Sequence, residues 1–255
     1  MHLFDLGKSK VNTKKPRDDG LTMMMDKGLG LRAFRDCLEL SAKYIDFIKL
    51  GFGTLSLTPS TILQQKLFLA NQYQIAIYPG GTFFEWFAAE GKWEWYFQQI
   101  SEFGFSWVEI SDGVISLDPR LRKQAIRSAK AYGLKVITEI GKKETGITIP
   151  VPQLITGYEA DRADGAAYVI VEGRETGENI GIYNQKGELD IEYVLEVCQA
   201  NCCQHLIWEA PKKVQQVQLL HLWGSSVNLG NIPSTDILSV EALRRGLRAD
   251  TFKRG

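Results

Sequence analysis

The chain has 255 residues, with 30 lysines and arginines against 30 aspartates and glutamates and a formal net charge of zero. At 44% hydrophobic and 24% charged it has an ordinary globular composition, which excludes wholesale disorder. Balanced charge gives no footprint for nucleic acid or an anionic membrane, and no stretch approaches the roughly 18 consecutive apolar residues of a membrane span.

The first twenty residues are polar and lack the apolar core of a secretory signal, so a cytoplasmic location is expected. Residues 21–25 then read as a strand, and 31–42 as an amphipathic helix. The alternation repeats: strand 45–50 with helix 61–71, strand 75–78 with helix 93–102, and strand 107–111 with helix 120–132. It continues with strand 135–140 and helix 153–164, strand 167–171 and helix 191–200, strand 205–208 and helix 214–222, and strand 225–229 with helix 240–247. The near-continuous apolar runs suit parallel strands buried on both faces. Phe103-Gly104, Tyr132-Gly133 and Asp164-Gly165 are helix stops, and Leu117-Asp118-Pro119 is a helix start. Eight strand–helix units predict an α/β fold, a TIM (β/α)8 barrel, as one domain over residues 1–255. A doubly wound sheet would announce a G-x-G-x-x-G turn after its first strand, and Met25-Asp26-Lys27-Gly28-Leu29-Gly30 does not supply it.

Barrel chemistry sits at the C-terminal ends of the strands. Charge recurs at those positions: Asp26 and Lys27, Lys49, Glu85 beyond the third strand, Glu109 and Asp112, Glu139 with Lys142 and Lys143, Glu172 with Arg174, and Glu209, with Asn228 at the eighth. One charged residue at a strand end is ordinarily solvated or paired. A carboxylate inside a run such as Trp107–Ser111 is costly to bury alone, so repetition on nearly every strand implies a polar ring facing one cavity. In an extended strand Glu139, Gly141 and Lys143 share a side, as do Glu172 and Arg174. Such a ring can hold Mg²⁺ through oxygen ligands, or bind an anionic substrate while a lysine moves a proton. Gly80-Gly81, Gly173 and the stretch from Gly224 to Gly230 would let backbone N–H groups approach an oxyanion.

Four cysteines (Cys37, Cys198, Cys202, Cys203) match neither a disulfide framework nor zinc-ligand spacing and read as small core fillers. Three histidines are too scattered for a metal site, and His205 belongs at the bottom of the barrel. The basic segment Lys14-Lys15-Pro16-Arg17 precedes the first strand and belongs to the same face.

Several segments occur together in a familiar order. They are Leu21-Thr22 leading to Asp26-Lys27-Gly28-Leu29, Asp46 through Thr54, Tyr78-Pro79-Gly80-Gly81-Thr82, Val108 through Gly113, and Thr138 through Lys143. Val171 through Glu175, Trp208-Glu209-Ala210-Pro211, Gly224 through Leu229, and Leu243 through Arg248 follow. With these blocks the chain resembles the phosphosulfolactate synthase family along nearly its whole length. The resemblance implies a TIM-barrel lyase that adds sulfite to phosphoenolpyruvate with Mg²⁺, giving (2R)-3-sulfolactate phosphate for coenzyme M or sulfolactate synthesis. It implies Lys143 as the acid that protonates C2, with Lys49 and Glu139 beside it. Glu109, Glu139, Glu172 and Glu209 are then candidate Mg²⁺ ligands, and Arg174, Lys142, Asn228, Gly230, Gly80 and Gly81 candidate substrate contacts. Other readings are a Schiff-base aldolase using Lys49 or Lys143, and a non-catalytic barrel like the heat-stress-associated relatives of this family. Small anionic substrates are the expected partners, without nucleic acid or membrane, and a homo-oligomer is compatible with all of these readings.

Overall fold

The computed structural model describes residues 14–200 and 203–252. Its strands are β1 (Thr22–Asp26), β2 (Phe47–Leu50), β3 (Ala76–Pro79), β4 (Trp107–Ile110), β5 (Lys135–Ile140), β6 (Ala166–Val171), β7 (Leu206–Glu209) and β8 (Leu229–Pro233). The α-helices are α1 (Leu31–Ser41), α2 (Thr54–Leu57), α3 (Ser60–Gln72), α4 (Gly81–Ala89) and α5 (Trp93–Phe103). They continue as α6 (Pro119–Ala131), α7 (Val151–Asp164), α8 (Ile191–Gln199), α9 (Lys213–Trp223) and α10 (Ile237–Arg244). The strands pair in parallel in the order β3-β2-β1-β8-β7-β6-β5-β4. β3 and β4 close the curl without a backbone ladder between them, so the fold is a nearly complete (β/α)8 barrel. Among the described residues no helix is long and apolar enough to cross a membrane.

Local signals explain the helix limits. The Asp118 side chain accepts from the N–H groups of Arg120 and Leu121, capping α6 above Pro119 at its first turn. Gly104 and Gly165 end α5 and α7 in the left-handed conformation. Outward-facing residues such as Ile48, Val108 and Val169 pack against the helices, while Leu21, Met23, Phe47, Tyr78, Ile137, Ile170 and Ile207 fill the barrel. Phe47 stands edge-on to Trp107 and Tyr168 at centroid distances of 5.0 and 5.7 Å, contacts worth about 0.5–1.5 kcal/mol each.

Three segments depart from the sequence reading, the short α2 among them. β8 begins at Leu229 rather than Ser225. Residues 224–226 form a 3-10 turn whose end is held by Arg244, with Nη1 donating to the carbonyls of Ser225 and Val227. Gly-Asn-Ile-Pro reads as turn chemistry, yet Pro233 lies at the strand's last position, opposite Met25, where a missing N–H is tolerated. The helix α4 was unexpected, because Gly80-Gly81-Thr82-Phe83 carries turn and β-forming residues. Cys198 is disulfide-bonded rather than a free core filler, and its partner lies outside the described side chains. The Lys14–Arg17 segment does sit at the bottom: Lys15 Nζ donates to the carbonyl of Ala42, and Arg17 pairs with Asp46 at 2.7 Å.

Candidate functional site

The two-residue strand period builds the site. One step above the apolar floor residues Phe47, Trp107, Ile137, Ile170 and Ile207, on the same face of each strand, stand Lys49, Glu109, Glu139, Glu172 and Glu209. All five charged residues are buried. Lys49 Nζ lies 3.0 Å from Glu109 Oε2, 3.0 Å from Glu139 Oε2 and 3.1 Å from Glu209 Oε1. Above them Lys143 Nζ lies 2.6 Å from Glu139 Oε1 and 3.5 Å from both Glu172 Oε2 and Glu85 Oε1. These groups, with Glu85 behind the wall, surround a cavity of about 340 Å³ open at the C-terminal end of the barrel.

Backbone groups fix the carboxylates. Gly173 N–H and Arg174 N–H donate to Glu209 Oε2 at 2.9 and 2.8 Å, and Arg174 N–H also reaches Glu172 Oε1 at 2.7 Å. Gly81 N–H donates to Glu109 Oε1 at 2.7 Å, across the unladdered junction of β3 and β4. A Cβ on Gly81 would fall 2.2 Å from Ser111 Oγ, and one on Gly141 would fall 2.2 Å from Glu172 Cβ at a φ of +146°. Both positions therefore require glycine. Glu85, on α4, accepts from Ser111 Oγ at 2.7 Å and from the N–H groups of Val114 and Ile115 at 2.6 and 2.9 Å. It thereby ties the loop after β4 to the helix behind Lys143.

Electrostatics separates the charges by role. Burial alone would lower Lys49, but Glu109, Glu139 and Glu209 outweigh it and hold the ammonium well above its usual range. Lys143 is likewise raised, with burial opposed and overcome by Glu139 and Glu172. Burial would raise Glu139, yet Lys143 and Lys49 hold it well below the usual carboxylate range. Glu172 is pushed up by burial and then by the charges of Glu139 and Glu209. Glu109 is pushed up to about 8, chiefly by burial.

The cavity lining includes five glutamates against two lysines and one arginine, a formal excess of two negative charges. One oxygen from each of Glu139, Glu172 and Glu209 lies within 4.8 Å of the others, and Glu172 Oε2 has no hydrogen-bond partner. Three clustered carboxylates offering hard oxygens, one of them with an oxygen that lacks a hydrogen-bond partner, fit a divalent cation such as Mg²⁺. Glu109, paired with Lys49 and Gly81, is not part of that oxygen cluster.

Lys49, Lys143, Glu109, Glu139, Glu172, Glu209, Arg174, Gly80 and Gly81 all line the cavity, but several have other duties than expected. The N–H groups of Gly80 and Gly81 are already given to the Leu50 carbonyl and to Glu109, so neither serves as an open oxyanion cradle. Lys142 turns away, with Nζ donating to the carbonyls of Asp112 and Ile115, because residues 141–143 have left the strand and its alternation. Asn228 belongs to the bottom: its Oδ1 accepts from Leu21 N–H, and Nδ2 donates to the carbonyls of Gln204 and Leu206. Gly230 lies inside β8, where a Cβ would strike Met23 Cε at 2.5 Å; its role is packing rather than phosphate contact. Both corrections follow from the four-residue displacement of β8. Met25, Gly51, Phe52, Thr82, Val114 and Asn231 also line the cavity without having been site candidates, as does Glu175 at the end of the sixth strand. For Asn231, polar identity within a strand was the available signal.

A larger cavity of about 550 Å³ lies at the opposite end, between Arg17 and Trp223. Its Arg17 is already paired with Asp46 through two hydrogen bonds, and the charges of the strand ends do not converge there.

A family described as (2R)-phospho-3-sulfolactate synthase (ComA) matches residues 10–250. The phosphosulfolactate synthase of Methanothermobacter thermautotrophicus is 39% identical over 254 residues, covering 99% of this chain and 98% of its own. That of Methanocaldococcus jannaschii is 40% identical over 238 residues (91% and 94%), and that of Bacillus subtilis 32% over 245 residues (95% and 96%). Among solved structures, the YdjI aldolase of Escherichia coli superposes with a TM-score of 0.57 at 15% identity, covering 93% of this chain and 88% of its own. A 3-hexulose-6-phosphate synthase gives 0.56 at 12% (88% and 98%); at such identities the likeness establishes the fold alone.

Proposed function

The chain belongs to the phosphosulfolactate synthase family, and from that premise we propose that it is a Mg²⁺-dependent carbon–sulfur lyase joining sulfite to phosphoenolpyruvate. The observation that supports this reading most is the Lys143–Glu139–Glu172 arrangement at the cavity mouth: a charged ammonium beside a cluster of carboxylates. In the proposed reaction the sulfur of sulfite bonds to C3, and the C2–C3 π pair moves toward C1, gathering charge on the carboxylate. A divalent cation held by Glu139, Glu172 and Glu209 would stabilise that charge. Lys143 gives its proton to C2 from one face, fixing the configuration, and is reprotonated from solvent. Glu139 orients the donor at 2.6 Å and keeps it an ammonium until the carbanion forms. Arg174, with its guanidinium at the rim, grips the phosphate or carboxylate. A cytoplasmic setting belongs to the same reading.

The Schiff-base alternative needs a neutral, nucleophilic amine. Lys49 sits among three carboxylates that hold its proton, and Lys143 is held the same way, so neither supplies one. The test is product formation from phosphoenolpyruvate, sulfite and Mg²⁺ by the full chain, followed by phosphorus NMR. A well-folded protein that forms no sulfonated product would sink the proposal and favour a non-catalytic barrel.

A further inference from the structure

β8 reaches the cavity mouth irregularly. Leu229 pairs with Thr22 and Ile232 with Met24, which leaves Gly230 and Asn231 together opposite Met23. A bulge of this kind re-aims the extra side chain. Asn231 also has a φ of +54°, a left-handed conformation that asparagine tolerates better than most residues. The result is a side chain on the cavity wall, only 4% exposed, whose Oδ1 has no hydrogen-bond partner. Buried carboxamides are ordinarily satisfied by the protein, so an orphan one at a cavity marks where a ligand completes the bonding.

The surroundings indicate which end of the amide is used. Lys49 is occupied by three carboxylates and Lys143 by Glu139. The N–H groups of Gly81, Gly173 and Arg174 are committed to Glu109, Glu172 and Glu209. A small phosphorylated carboxylic acid offers only acceptors, and this cavity has few uncommitted donors to meet them. Oδ1 is the atom of this amide shut away from solvent, and Nδ2, with no bonded partner among the described residues, is the end that already faces the cavity. We propose that Asn231 is a substrate-binding residue, donating through Nδ2 to an oxyanion oxygen of the bound substrate. The substrate class rests on the function proposed above; the orphan amide does not.

The test measures phosphoenolpyruvate binding by calorimetry and steady-state KM on the full chain, comparing wild type with N231G and N231D. Glycine accepts the left-handed backbone without strain and deletes only the amide; aspartate keeps the shape but replaces the donor with charge. N231G is expected to keep the wild-type melting temperature and raise Kd and KM for phosphoenolpyruvate about tenfold, with KM for sulfite unmoved. N231D is expected to weaken binding further. Wild-type affinity in N231G would overturn the proposal, and wild-type affinity in N231D would overturn the donor role. Should the wild-type protein bind no phosphoenolpyruvate, the functional reading fails separately, and inorganic phosphate becomes the probe. Thermal protection by phosphate that N231G loses would still support an oxyanion contact; equal protection in both proteins, or none in either, would overturn it.

Discussion

Lys143 Nζ and Glu139 Oε1 lie 2.6 Å apart although one residue belongs to the strand β5 and the other to the loop beyond it. The turn at Gly141 makes this contact by bringing the chain back over the strand end, and the return is fixed by Lys143 N–H donating to the Gly113 carbonyl at 3.1 Å. Lys143, the proposed proton donor, is therefore held from both its backbone and its ammonium.

Removing that ammonium should abolish most turnover without unfolding the barrel. We expect Lys143→Ala to lower kcat about 10²–10⁴-fold, the usual contribution of a positioned acid, measured on protein verified as folded. Near-wild-type kcat with phosphoenolpyruvate and sulfite would remove Lys143 from the protonation step.

Metal dependence tests the carboxylate trio. Turnover should vanish in EDTA and return with added Mg²⁺, while Glu172→Gln should shift the Mg²⁺ concentration for half-activity about tenfold or more upward, as loss of a ligand would. Full activity after exhaustive chelation would show that the cluster serves only its lysines.

Lys49 is the counter-ion for the buried Glu139 and Glu209 and also contacts Glu109, and deleting it leaves those carboxylates uncompensated. Lys49→Met is expected to destabilise the fold by about 3–5 kcal/mol, read by denaturant unfolding at pH 8. An unchanged midpoint would mean that the carboxylates are neutral or solvated.

Glu109 gives a pH signature with a defined sign. Its carboxyl is raised from the ordinary 4.5 to about 8, so between those values the folded state holds a proton that the unfolded chain releases. Its contribution to stability is therefore undiminished below pH about 4.5 and is lost as pH rises toward 8, at up to about 1.4 kcal/mol per pH unit. In Glu109→Gln this part of the slope should disappear. Identical stability–pH slopes for the two proteins across that window would rule the titration out.

Asn228 should behave as a structural residue. Asn228→Ala leaves Leu21 N–H and two buried carbonyls short of a partner, an expected loss of about 1–3 kcal/mol, with both KM values unchanged. A selective rise in KM for phosphoenolpyruvate at constant stability would return it to the site.

The strand–helix alternation and the charged ring were legible because both rest on short-range periodicity. Two-residue alternation carries Phe47 to Lys49 and Ile137 to Glu139 without any knowledge of neighbours. What the sequence concealed depended on tertiary partners. Arg244 selects a turn at Ser225 where local preference allows a strand, and this shifted Asn228 and Gly230 into the wrong layer. Lys142 and Lys143 are adjacent and chemically alike, yet the loop after β4 takes one and the carboxylates take the other. The bulge that turns Asn231 inward arises from pairing with β1, which no local pattern encodes.

The junction between β3 and β4 is shut by side chains instead of a ladder, with Glu109 bridging to Gly81 and Glu85 to the loop after β4. The carboxylates facing the two lysines are therefore also the latch of the cylinder. A descendant that gave up the reaction could not discard Glu109 at no cost, since it would first need another acceptor to keep the wall shut. Persistence of that glutamate in a relative is thus an ambiguous sign of activity.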